Sequence, residues 1–181
     1  MQDQLQKKIL IIADSFPTRL KPSIGNFYLE QALALKSNFD FQVIVLEAKE
    51  LMFLRFFGNK RFKKFNDPND GTLTLPIIRL RFNRIRQNRI SIFFSFIRNR
   101  IVNRNYKTGC NAVDFGFKKI LKADFMPDLI LAETAQYMAP FAVFLGSKYN
   151  IPVVGYEHYP PLVRMTTVWE IDDQTRRLLV N

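Results

Sequence analysis

Short apolar runs recur along the chain, each closed by polar or turn-forming residues, with stretches of helical spacing between them. KKILIIA (7–13) is closed by Asp14, Ser15 and Pro17. FQVIVLEA (41–48), DLILAE (128–133) and IPVVGYE (151–157) repeat the pattern. Runs this short and this continuous in apolar residues fit strands covered on both faces. TLTLPIIRLRF (72–82) is rich in β-formers but carries Pro76, which cannot donate to a ladder and so predicts an edge or irregular strand. NFYLEQALALKS (26–37), NAVDFGFKKILKAD (111–124), MAPFAVFLGSKYN (138–150) and VWEIDDQTRRLLVN (168–181) read as helices. In the second of these Val113, Phe117, Ile120 and Leu121 share one face. Strands alternating with helices predict an α/β, Rossmann-like, doubly wound parallel sheet.

In such a sheet ligands bind outside the carboxyl ends of the strands. Three predicted strand exits carry polar pairs: Asp14-Ser15, Glu133-Thr134 and Glu157-His158. His158 is the only histidine, so the one side chain that titrates near neutral pH sits at a strand end. It can act as a hydrogen-bonding or acid–base group there, or simply cap the loop. Gly25, ahead of the first helix, lets backbone approach a ligand, and the amides of a helix start suit a phosphate. A lone glycine also serves as an ordinary turn residue. The dinucleotide fingerprint G-x-G-x-x-G is absent, which argues against a nicotinamide or flavin enzyme.

Charge adds a second feature. Of 27 Lys and Arg, 14 fall within 55–107, against only Asp67 and Asp70, while the rest of the chain is nearly balanced. Within 83–107 a helix would align Ile90, Phe93, Phe94, Ile97 and Ile101 on one stripe, with Arg89, Arg98, Arg100 and Arg104 around it. That pattern suits an interfacial helix on anionic lipid. It also suits nucleic acid, or a basic helix whose Phe residues enter its own core. Lipid is preferred over nucleic acid because the apolar face is contiguous and no nucleic-acid motif is present. Cys110 is the single cysteine, which excludes an intrachain disulfide and points to a cytoplasmic protein. One His and one Cys cannot build the usual zinc site, so no metal is expected.

Two stretches carry a resemblance. KILIIADSFPTRLKPSIGNFYLEQALALKSNFDFQVIVLEAKE (8–50) and MPDLILAETAQYMAPFAVFLGSKYNIPVVGYEHYPP (126–161) together resemble the N-terminal domain of GT-B glycosyltransferases of family 4. The shared features are Gly-x-Phe before a Glu-Gln-Ala helix, Pro-Asp before a strand, and IPVV leading to Glu-His, in that order. The region 51–110 resembles the family only in its place. The resemblance implies that residues 1–181 form the acceptor-binding half of a two-domain cleft, with the donor domain and its Glu-x7-Glu pattern not contained in this chain. It implies a retaining transfer that needs neither metal nor cofactor. The sugar would come from a nucleotide-sugar co-substrate and pass to a polysaccharide, lipopolysaccharide or lipid-linked acceptor. His158 would contact the transferred sugar. Gly25 would lie near the donor diphosphate, and Asn26, Glu133 and Glu157 join it as candidate substrate-binding residues. A peripheral position on the inner membrane face would follow from the basic segment. The competing expectations are a basic nucleic-acid module and a non-catalytic Rossmann-like binding domain.

Overall fold

The apolar runs become strands, and their order in space is set by crossovers on both faces. The structure is a computed structural model. It describes residues 6–18, 20–51, 62–65, 75–83 and 95–156, with only the backbone of 50, 51, 62–65, 83, 95–100, 135 and 136. Six strands and three helices lie among these residues: β1 (Lys8–Ala13), α1 (Asn26–Asn38), β2 (Gln42–Leu51), β3 (Phe62–Phe65), β4 (Ile77–Asn83), α2 (Ser95–Lys122), β5 (Leu129–Glu133), α3 (Ala135–Tyr149) and β6 (Val153–Tyr156). They form one sheet in the order β3-β4-β2-β1-β5-β6. All neighbours are parallel except β3 and β4. The chain leaves β1 toward β2 by way of α1, and later returns from β4 to β5 by way of α2. The strand order therefore reverses between β1 and β5, as in a Rossmann-like sheet.

Alternation along each strand divides the core in two. Leu10, Ile12, Leu46, Leu80, Phe82, Ile130 and Ala132 face α2 and α3. Ile9, Ile11, Val43, Val45 and Leu131 face α1. The predicted helical face holds: Val113, Phe117 and Ile120 are buried and Leu121 packs against the same cluster. Gly116 lets α2 lie close to the sheet, since a Cβ there would meet the Leu46 Cδ1 methyl at 2.6 Å. Each Leu, Ile or Phe buried this way contributes about 1.5–3 kcal/mol.

One expectation is corrected and two are extended. Pro76 does not mark an edge strand, because it stands just before β4, where its missing N–H costs no ladder bond. Its carbonyl instead accepts from Val45 N at 3.0 Å, and β4 is an inner strand between β2 and β3. The helix read at 111–124 and the part of the basic stripe from Ser95 onward belong to one helix of 28 residues. The basic segment 55–107 contributes β3, β4 and the start of α2 to the fold. Residues 84–94 and 157–181, including the helix read at 168–181, lie outside the described residues. No helix among the described residues is long and apolar enough to cross a membrane.

β2 and β4 run farther than β1 at the carboxyl edge. Ala13, the last residue of β1, pairs with Glu47, whereas β2 continues to Leu51 beside Asn83. The β2–β4 corner thus stands four residues higher.

Candidate functional site

The carboxyl ends of β1 and β5 bracket the point of strand reversal, and the loops leaving them hold most of the described candidates. After Ala13 the chain turns through Asp14 and Ser15, both half-buried, with Ser15 Oγ donating to Asp14 Oδ1 at 3.1 Å. Phe16 and Pro17 are buried. Thr18 and Lys21 close a turn by mutual backbone hydrogen bonds of 3.1 and 3.3 Å. The loop ends at Gly25, whose φ of 74° is left-handed. A Cβ at Gly25 would lie 2.9 Å from the Ser15 carbonyl oxygen and 3.0 Å from Phe16 Cα. Gly25 is therefore required twice, by its dihedral and by the backbone against it. The Gly25 carbonyl accepts from Leu29 N at 3.2 Å, so α1 starts there, with no side-chain cap and no acid in its first turn. Asn26 donates to Glu30 Oε1 at 2.8 Å along the exposed side of the helix. A helix start of this kind presents its positive end to the strand-reversal point.

On the other side of that point β5 ends in Glu133, fully buried, and Thr134, almost so. Thr134 has φ 56°, a strained conformation for a β-branched residue, and it opens α3 without a side-chain cap. Its hydroxyl is hydrogen-bonded to the Tyr28 hydroxyl. Tyr28 comes from α1 and Thr134 from the start of α3, so this bond joins the helices of opposite faces. Continuing the register of Ile12 beside Ala132 by one residue sets Glu133 beside Ala13. Glu133 in turn pairs with Tyr156, the residue before Glu157. Gly25, Asn26 and Glu133 are thus brought to one edge. Glu157 and His158 lie outside the described residues.

Beneath the β1–α1 loop is a feature that the charge pattern does not reveal. Arg79 is fully buried and forms an ion pair with Glu47, itself 1% exposed. Arg79 Nη1 donates to the Phe16 carbonyl at 3.3 Å and Nη2 to the Pro17 carbonyl at 2.6 Å. Arg81 reaches the other Glu47 oxygen at 3.1 Å. Two cations counted with the basic segment therefore share the Glu47 carboxylate inside the fold, and one of them holds the loop that carries Gly25. The sequence signal was the spacing: Arg79 and Arg81 alternate with Leu80 and Phe82, which places both on the α1 face, with Glu47 opposite Arg79.

The interfacial candidates are divided. Arg89, Phe93 and Phe94 lie outside the described residues, and Ile97, Arg98 and Arg100 are helical in α2 by backbone alone. Arg104 is exposed, and Ile101 is half-buried. Among the described residues no group of three or more His, Cys, Asp or Glu could hold a metal. Cys110 is buried, and that burial raises its thiol pKa to about 11, so it is not a nucleophile at neutral pH.

No protein-family model matches this sequence. No curated protein matches it either. The functional reading therefore stands on the site and on the sequence motifs.

Proposed function

We propose that this chain is the acceptor-side domain of a retaining, metal-independent GT-B glycosyltransferase. In this reading a sugar passes from a nucleotide-sugar to a glycan or lipid-linked acceptor. The observation that carries the proposal is the β1–α1 turn at the strand-reversal point. Left-handed Gly25 is pressed on the Ser15–Phe16 backbone and starts an uncapped helix beside the exit of β5. Such a start favours a diphosphate by charge and by its backbone amides. The order β4-β2-β1-β5-β6 supports this reading, since a Rossmann-like sheet is the fold it requires, and the motif order of the sequence is compatible with it.

The division of roles follows from the chemistry. The departing diphosphate develops charge, which the α1 start helps to stabilise. His158, two residues after Tyr156 in the sequence, would donate a hydrogen bond to the transferred sugar. Glu157 would meet acceptor hydroxyls, while Glu133, fully buried, would brace the edge from beneath. The donor half is assigned to sequence outside this chain. The test is transfer by the protein that contains both halves, read as nucleoside diphosphate release over a panel of nucleotide-sugars. His158→Ala is expected to lower transfer at least 100-fold while leaving the thermal midpoint of this chain in place. Full activity in that variant, or no release with any donor, would overturn the proposal.

A further inference from the structure

The side of α2 that faces away from the sheet is a line of cations. At about 100° per residue, Arg104, Lys107, Asn111, Phe115, Lys118 and Lys122 fall on an arc of about 80°. All of them are exposed, and so is Lys119 at the flank of the arc. Val113, Phe117 and Ile120, on the other side of the helix, enter the core, so the line points away from the sheet. From Arg104 to Lys122 it runs about 27 Å. Asp114 is the only acid of α2, and Lys118 and Lys148 both pair with it. Among the described residues no carboxylate pairs with Arg104, Lys107, Lys119 or Lys122.

The needs of the helix itself do not account for this line. Cations in the last turn answer the helix dipole, which covers Lys119 and Lys122. Lys107 and Arg104 stand about four turns or more from that end. Like charges three or four residues apart repel, and Arg104–Lys107 and Lys118–Lys122 are such pairs. A helix tuned for its own stability would alternate sign along the arc.

We propose that this face of α2 is a docking surface for an anionic lipid bilayer. Its charge is the complement of such a surface, and two observations favour a bilayer over nucleic acid. The first is shape. α2 packs on the sheet with α3 beside it, joined through Asp114 and Lys148. The cations therefore lie on a broad two-helix layer, not on an element that can enter a groove. The second is Phe115, the one apolar residue of the arc. The Lys119 ammonium sits over its ring, 4.8 Å from the centroid, where a base would stack. With so little apolar surface on the arc, the contact is adsorption to headgroups rather than insertion.

This surface is independent of the transferase reading, but it orients the site. α2 leads from the carboxyl end of β4 back to the start of β5, so it runs roughly against the strands. A bilayer on its outer side then lies roughly along the strands. The β1–β5 exits open along the membrane plane, where a lipid-linked acceptor meets them from the side.

The test is co-sedimentation of the full chain with vesicles of phosphatidylcholine, alone or with about 30% phosphatidylglycerol. The chain is expected to bind only the anionic vesicles and to leave them at about 0.5 M salt. Each Lys or Arg near such a surface is worth about fivefold in partitioning. Arg104→Gln, Lys107→Gln and Lys122→Gln together should therefore weaken binding about 20-fold or more. Lys7→Gln, Lys21→Gln and Lys36→Gln remove three exposed cations outside α2, to the same net charge, and should weaken it less than about threefold. Arg104→Lys with Lys107→Arg and Lys122→Arg keeps the charge and should bind as the parent does. Equal loss in the two Gln triples would overturn the proposal. So would equal binding to uncharged vesicles, binding that survives the salt, or no vesicle binding at all. Tighter binding to a single-stranded oligonucleotide than to anionic vesicles at equal salt would also overturn it, and would make nucleic acid the partner.

Discussion

The two faces of the sheet do different work. The face under α2 and α3 is mainly apolar among the described residues, with Phe82, Phe117 and Phe141 fully buried among Leu, Ile and Ala, and the buried polar residues of α2, Asn105 and Thr108, carry no charge. The face under α1 has a smaller apolar cluster, and at its carboxyl end it holds Arg79, Glu47 and Glu133 out of water. Burying charge is costly unless each group is paired, so a fold retains it where geometry matters more than net stability. Here the geometry is that of the β1–α1 loop. One face supplies adhesion and the other supplies position.

Breaking the apolar face should have the largest effect. Phe117→Ala is expected to cost about 3–5 kcal/mol, read by chemical denaturation, because Phe117 fills the core and lies against the Tyr149 ring at 4.5 Å between centroids. Arg79→Met should cost about 3 kcal/mol by leaving Glu47 and the Phe16 and Pro17 carbonyls without their main donor. Combining it with Glu47→Leu should recover part of that loss, while loop exchange around Phe16 stays fast. Recovery of both together would show that the pair serves stability alone. Gly25→Ala should cost about 1–3 kcal/mol and disturb the loop rather than the sheet, seen as amide shifts confined to 14–28.

The smallest effect concerns the link between α2 and α3. Asp114 meets Lys118 at 3.0 Å, Lys148 at 2.7 Å and the Tyr149 hydroxyl at 2.8 Å. Burial would raise its pKa, but the hydrogen bonds from Lys148, Lys118 and Tyr149 outweigh this and hold it below the ordinary carboxylate range. A depressed folded pKa means the unfolded chain binds the proton more readily. The contribution is therefore present above the unfolded value near 4 and lost as pH falls through the folded one. Because both lysines are largely exposed, Asp114→Asn should cost less than about 1 kcal/mol at pH 7. The gap should narrow as pH falls from 7 to 2, measured by denaturation at both pH values.

Much of the apolar architecture was legible in the sequence. β1, β2, β5 and β6 each announce themselves as continuous apolar runs, and α1 and α3 as good helix formers between them. What escaped was set by contacts between residues far apart in the chain. β3 is Phe-Lys-Lys-Phe, which has the composition of the basic segment around it and gains its identity by pairing antiparallel with β4. Arg79 reads as one more surface cation until Glu47, 32 residues away, is placed beside it. The Tyr28–Thr134 bond spans 106 residues, and neither partner has a local signal for it. Of the site, the strand exits and Gly25 could be read from spacing, because polar residues after buried strands are a local pattern. The supports beneath them could not.

The unequal strand ends have a further consequence. With β2 and β4 four residues beyond the end of β1, the sheet rises by about 13 Å on one side of the reversal point. The carboxyl edge is a step rather than a plane. Among the described residues, the β1 exit therefore lies at the foot of a wall formed by the ends of β2 and β4. The lengths of two strands give the edge its relief.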